Sequence, residues 1–175
     1  MLPAPDTPYA RWAAWLDRFA GGADEPPDEL PAMEPEQVGG ATAARFAERC
    51  AEAMQRRLTH WHAQLARDLE HAMTPLDARQ ALHAARRRLV AARALAVSEL
   101  LFAELREALA NALDDALAQA QRQLEESAFA GRADGEQFLR AVREVRLDQA
   151  PQLDLGAAPF HPPSDARPHR SILLS

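Results

Sequence analysis

Residues 69–80 read LEHAMTPLDARQ and contain Pro75, the only proline between residues 41 and 130. Residues 41–130 also contain no glycine, because all 7 glycines and the remaining 12 of the 13 prolines lie outside this range. Glycine and proline are the residues that most strongly interrupt helices. The sequence therefore predicts two long helices joined by one turn at Pro75, which is an antiparallel, coiled-coil-like helical hairpin.

The turn itself carries three signals for the start of a helix. Thr74 is a suitable N-cap residue, Pro75 suits the first helical position, and Asp77 stands where the acid of a capping box belongs. We expect the second helix of the hairpin to begin here.

The first long helix is predicted over residues 41–72 because its apolar residues recur at spacings of three and four. These residues are Phe46, Cys50, Met54, Leu58, Trp61, Leu65, Leu69 and Met73. The second helix is expected to continue without a break from Pro75 to about residue 130. It would exceed the first by roughly 20 residues, or about 30 Å.

This expected overhang needs a cover, because four leucines lie along it: Leu109, Leu113, Leu117 and Leu124. A short third helix over residues 134–147 is one candidate, since Phe138, Val142 and Val145 form a helical stripe there. A second copy of the chain is the other. We interpret the leucines as partner-binding residues and include a homodimer among the expected assemblies.

The N-terminal segment 1–22 is predicted to form an amphipathic helix over residues 8–20. Its apolar face consists of Tyr9, Trp12, Trp15, Leu16 and Phe19. A helix this short is marginal in water on its own and has to dock, either onto its own bundle or into a groove on another protein. We interpret the five residues as partner-binding.

Two proline-rich arms complete the chain around the bundle of residues 41–147. Residues 23–40 are acidic and read as an extended linker, and residues 148–175 read as an extended tail. The tail ends in Ile172, Leu173 and Leu174, which we expect to bind a partner as a linear motif.

The charge pattern offers a second interpretation. The net charge is −6 and argues against nucleic acid as the main partner. All 20 basic residues are arginine, which indicates a GC-rich bacterial origin first. One basic run has no acid between Asp77 and Glu99: Arg79, Arg86, Arg87, Arg88 and Arg93. A regulatory protein that binds nucleic acid or an acidic partner through this run is therefore the first alternative.

Other kinds of function find little support. The single cysteine, Cys50, excludes an intramolecular disulfide, and no apolar stretch reaches the 18 residues of a membrane span, so we expect a cytoplasmic protein without membrane insertion. His60 and His62 point apart on a helix, which argues against a shared metal site. A helical metal or cofactor binder is therefore the second alternative. We predict no catalytic residues, metal or cofactor. The sequence favours an all-α, non-enzymatic interaction or assembly subunit, such as a scaffold or adaptor.

Overall fold

The computed structural model describes residues 6–127 and 129–149, and in this part of the chain the predicted all-α class is confirmed. The helices are α1 Pro8–Ala20, α2 Pro35–Val38, α3 Gly40–Glu70, α4 Pro75–Arg87, α5 Val90–Ala96, α6 Ala103–Ser127 and α7 Gly135–Glu144. One isolated β-bridge, between Met33 and Leu101, is the extended pairing within these residues. The predicted motif at Ile172, Leu173 and Leu174 lies outside them.

The turn between α3 and α4 forms as the sequence predicts. The backbone N–H of Asp77 donates to the Thr74 hydroxyl at 3.1 Å, and the Thr74 N–H donates to the Asp77 carboxylate at 2.9 Å. Both bonds of a capping box are therefore present, and Pro75 occupies the first turn of α4. The two helices then pack against each other.

The prediction of one unbroken second helix is wrong, because the chain after Pro75 divides into α4, α5 and α6. At the first break the Leu89 N–H bonds to the carbonyl of Arg86 at 3.1 Å rather than to that of Ala85. The Ala85 carbonyl accepts instead from the indole Nε1 of Trp61 on α3, at 2.8 Å. A side chain that inserts into the helical hydrogen-bond ladder in this way interrupts the helix.

The second break, at residues 97–102, is held by the segment that precedes α2. The Met33 N–H donates to the Leu100 carbonyl at 2.8 Å, and Met33 and Leu101 are both buried. The absence of glycine and proline permitted a continuous helix without requiring one. Backbone groups need partners, and here residues distant in the sequence supply them.

The two breaks remove the predicted overhang. With α6 packed against α3, α5 and α7, Leu109, Leu113 and Leu117 are buried inside the chain and Leu124 is partly buried. Three of the four leucines are therefore covered within the chain. Although burial lowers the pKa of Arg93 in α5, Asp114 of α6 lies close enough for its charge to oppose that shift in part.

Helix α1 docks onto its own bundle, which was one of the two placements that the sequence left open. Trp12, Trp15, Leu16 and Phe19 are buried, and the Trp12 ring contacts Phe46 of α3 edge to face with centroids 5.4 Å apart. In this structure the aromatic face is covered by α3 and does not form a free docking surface.

The acidic segment at 23–40 is packed against the bundle rather than fully extended. The Trp12 indole donates to the Pro31 carbonyl at 2.7 Å, Arg11 donates to the Glu29 carbonyl at 3.1 Å, and α2 packs on α3. Its hydrogen bonds to side chains of α1 explain how so polar a segment is held.

The Arg57 side chain of α3 connects this segment to the end of α1 and to the junction of α4 and α5. Only 6% of Arg57 is exposed, and its guanidinium donates to the carbonyls of Phe19 at 2.9 Å, Ala23 at 2.6 Å and Arg88 at 3.4 Å. It also pairs with Asp24 and lies over the Phe19 ring, 4.7 Å from its centroid. Burial of the charge is compensated by bonds to every side of the group.

We predict that Arg57→Met lowers the free energy of unfolding by about 2 to 4 kcal/mol, because buried carbonyls lose their donor. Urea unfolding followed by circular dichroism measures the change. Arg56→Met is the matched control, because Arg56 is an exposed neighbour on the same helix and should change stability by less than about 0.5 kcal/mol. Equal effects of the two substitutions would contradict the role assigned to Arg57.

The capping box predicts a pH dependence. Hydrogen bonding by the Thr74 side chain, and then by the N–H groups of Thr74 and Met73, lowers the pKa of Asp77 from its ordinary value of 3.8. A carboxyl group whose pKa is lower in the folded state than in the unfolded state stabilises the fold. This contribution is complete when the pH is above the pKa of the unfolded state, and it is lost as the pH falls through the pKa of the folded state. Asp77→Asn should therefore destabilise the protein at pH 7, and the difference from wild type should narrow by about pH 3. Urea unfolding at both pH values checks this, and a difference that stays constant contradicts it.

Candidate binding groove

An open groove runs between α3 and α6 and has a volume of about 720 Å³. Its floor is built from alanines: Ala47 and Ala51 on α3, and Ala108, Ala112 and Ala116 on α6. Residues four apart lie on the same face of a helix, so the sequence places the methyl groups of each helix in one row. Methyl groups are too short to fill the space between the two helices, which leaves the groove open.

Larger apolar side chains complete the lining, and most of them are almost fully buried. They are Met54, Leu58 and Trp61 from α3, together with Phe102, Leu105 and Leu109 from the start of α6 and the residue before it. Because the Trp61 Nε1 already donates to the Ala85 carbonyl, its polar group is satisfied in the core. The lining of the groove is therefore chiefly hydrocarbon.

A second cavity of about 560 Å³ shares His62 and Gln123 with the groove and continues it along the same two helices. It extends as far as Leu69 and Leu124, and Arg132 closes its far end. From Ala47 to Leu69, α3 rises about 33 Å. We call the two cavities together the α3–α6 groove.

The edges of the groove are acidic. On α3 the exposed polar lining residues are Gln55, Thr59, His62 and Glu70, and Glu48 lies two turns before Gln55 on the same side of the helix. Along α6 the corresponding exposed positions carry Glu104, Asp115 and Glu126, with Arg122 as the one basic residue. Within the residues that the structure describes, none of the five acids forms an ion pair.

The partner-binding residues predicted from the sequence are distributed over four parts of the chain. The α1 face is covered by α3, with Tyr9 at its partly buried edge, and Leu113 and Leu117 are buried in the core. Leu109 and Leu124 line the groove. The remaining three lie in the undescribed tail: Ile172, Leu173 and Leu174.

The arginine run does not form one exposed basic patch. Arg79 pairs with Glu144 of α7 at 2.6 Å, and Arg88 pairs with Asp68 of α3 at 3.0 Å. Burial lowers the pKa of Arg93, and the nearby charge of Asp114 opposes that shift. The last two members are Arg86, which is partly buried, and Arg87, which is exposed.

The alanine floor is the feature that the sequence interpretation missed. The spacing of Ala108, Ala112 and Ala116 was a usable signal, because three small apolar residues recur on one face of a helix. Alanine is also the best helix former, and the same pattern is expected in any stable helix. Only the position of α3 opposite these residues shows that they face a groove.

Residues 6–127 and 129–149 hold no group of three or more His, Cys, Asp or Glu side chains that could bind a metal ion. None of the helices in that range combines the length and the apolar character needed to cross a membrane. Comparisons with protein-family models, with curated proteins and with solved structures gave no significant match.

Cys50 lies on the face of α3 that is turned into the core, and burial raises the pKa of its thiol to about 12. Since the thiolate is the reactive form, we predict that Cys50 in the native chain reacts with a disulfide reagent at pH 8 at least about a hundredfold more slowly than in the urea-unfolded chain. Release of the coloured thiol product measures the rate. An Ala63→Cys variant supplies an exposed thiol that should react quickly while the chain is folded. A fast-reacting native Cys50 would contradict its burial.

Proposed function

We propose that this chain is a non-enzymatic interaction subunit, a scaffold or adaptor, that binds an apolar and positively charged segment of a protein partner in the α3–α6 groove. The observation that carries the proposal is an open, hydrocarbon-lined groove bordered by five acids, Glu48, Glu70, Glu104, Asp115 and Glu126, and by two bases, Arg122 and Arg132. The proposal includes a cytoplasmic location, which the unpaired thiol of Cys50 supports.

The apolar lining supplies the expected affinity. An exposed apolar surface that is continuous and rimmed by polar residues is characteristic of interaction sites. A groove about 33 Å long accommodates roughly 20 residues of a helix, which places its apolar face on the alanine floor. The partly buried side chains of Leu58 on α3 and Phe102 beside α6 would contact that face from both sides.

The acidic edges supply the expected selectivity. Charges at the exposed rim of an interface contribute mainly to the rate of association and to the choice of partner, whereas the apolar contacts contribute most of the affinity. Glu104 and Asp115 on one edge and Glu48 and Glu70 on the other favour a segment with basic residues on both flanks. They disfavour an acidic segment of the same shape.

The earlier expectation of self-association through Leu113 and Leu117 is not part of this proposal, because both side chains are buried in their own chain. Helix α1 contributes indirectly. By packing on the opposite part of α3, through contacts such as Trp12 to Phe46, it supports the helix that forms one side of the groove.

The proposal is tested with two designed helical peptides of equal length and pattern, one of leucine and lysine and one of leucine and glutamate. Fluorescence anisotropy should show that the leucine-lysine peptide binds with a dissociation constant on the order of 10 to 100 µM. The leucine-glutamate peptide should bind at least about tenfold more weakly, since its charges match those of the rim.

Two variants decide whether binding occurs in the groove. Ala112→Trp places a large ring on the exposed alanine floor and should weaken binding of the leucine-lysine peptide by at least about tenfold, or 1.4 kcal/mol. Ala63→Trp is the matched control, because it adds the same ring at an exposed position of α3 outside the groove. Equal affinity in the two variants, or no binding to the wild-type chain, would overturn the proposal.

A further inference from the structure

We infer that residues 167–175 of this same chain occupy the α3–α6 groove, so that a partner has to displace them. This inference rests on the proposed function, because it assigns to the proposed site an occupant with the chemistry argued above. It would make the chain a subunit whose binding site is covered until a competing segment arrives.

The segment has the composition that the groove favours. It reads RPHRSILLS and contains Arg167 and Arg170, an apolar triplet at residues 172–174, and no acidic side chain. The arginines complement the acidic rim, and the triplet provides the large apolar side chains that the alanine floor lacks. Residues 150–166, by contrast, contain two acids, Asp154 and Asp165, and no arginine.

The described part of the chain ends where the segment can reach the groove. The Leu147 N–H donates to the buried side-chain oxygen of Gln121 on α6, at 2.9 Å, and this bond fixes the exit of the chain beside that helix. Gln123 and Leu124, which line the groove, follow within one turn of α6. The chain thus leaves the fold close to one end of the groove.

The connecting length is sufficient. Residues 150–171 can span at most about 70 Å, whereas the groove is about 33 Å long and α6 is about 10 Å across. The segment can therefore pass around α6 from the exit at Gln121 and still reach either end of the groove.

The covalent connection also favours this occupant. A tethered segment acts at an effective concentration on the order of 1 mM. If the free peptide bound with a dissociation constant of about 0.1 mM, the tethered segment would fill the groove in about nine chains of ten. A competing ligand would then bind about tenfold more weakly to the intact chain than to a chain whose segment cannot dock. At micromolar protein concentration the tail of a second copy competes poorly with the tethered one.

The first test traps the contact in the full-length chain. Ala112→Cys together with Leu174→Cys places one thiol on the groove floor and one in the segment, and Ala63→Cys with Leu174→Cys is the matched control. The buried Cys50 does not compete, since burial raises its pKa to about 12. Oxidised glutathione is added at low micromolar protein, and the disulfides are located by mass spectrometry after digestion.

We expect the intrachain disulfide between positions 112 and 174 to form at least about tenfold faster than that between positions 63 and 174, because docking raises the local concentration of the thiol. Equal rates for the two pairs would overturn the inference. Disulfide-linked dimers as the main product of the first pair would also overturn it, in favour of occupation by a second copy.

The second test separates this inference from the proposed function. Ile172→Asp, Leu173→Asp and Leu174→Asp, combined in one full-length chain, should increase the affinity for the leucine-lysine peptide about tenfold. A chain with Leu153→Asp, Leu155→Asp and Phe160→Asp carries the same added charge outside the segment and should retain the wild-type affinity. Equal affinity in these two variants overturns the inference and leaves the proposed function intact. If neither variant binds the peptide, the proposed function is overturned, and the trapping rates decide the inference alone.

Discussion

The guanidinium of Arg57 joins three parts of the chain at one point. It bonds to the end of α1 at Phe19, to the following segment at Ala23 and Asp24, and to the junction of α4 and α5 at Arg88. A buried charge is costly unless its donors are all used, and here several backbone carbonyls and one carboxylate share them. Arg57 can therefore be buried only when the end of α1, the following segment and the junction of α4 and α5 are assembled around it.

The remaining architecture depends on that junction in a definite order. Trp61 lies one turn after Arg57 on α3, and its indole Nε1 donates a hydrogen bond to the Ala85 carbonyl. Arg57 donates to the Arg88 carbonyl, so two neighbouring side chains of α3 hold the first break in the predicted second helix. The segment that Arg57 anchors at Ala23 continues to Met33, whose N–H fixes the second break at Leu100. Because of these two breaks α6 returns along α3, and only then does the groove exist.

The sequence predicted those features whose causes are local. The capping box of Thr74 and Asp77 involves residues three apart, and the apolar face of α1 is visible in its own spacing. The breaks at Leu89 and Leu100 could not be predicted in this way, because their hydrogen-bond partners come from Trp61 and Met33, far away in the chain. Helix propensity is a weak preference that such tertiary contacts override.

Only part of the candidate site could be predicted from the sequence. Leu109 and Leu124 were identified as apolar residues that need a partner, and both line the groove. The reason given for them, an uncovered overhang, was wrong, since the return of α6 buries the leucines between them in sequence, Leu113 and Leu117. A stripe of apolar residues shows that a helix face is covered by something, but it does not show which neighbour covers it.

Helix α3 separates the residues that stabilise the fold from those that line the groove. Phe46 and Arg57 face α1 and the segment after it, whereas Ala47 and Ala51 face the groove from positions on another side of the same helix. Trp61 belongs to both sets, because its Nε1 fixes the break between α4 and α5 while its ring lines the groove. The Trp61 side chain is almost fully buried, so most of its surface packs against the core that determines the course of the chain. One side chain of α3 thus takes part both in the lining of the groove and in the arrangement of α4 and α5.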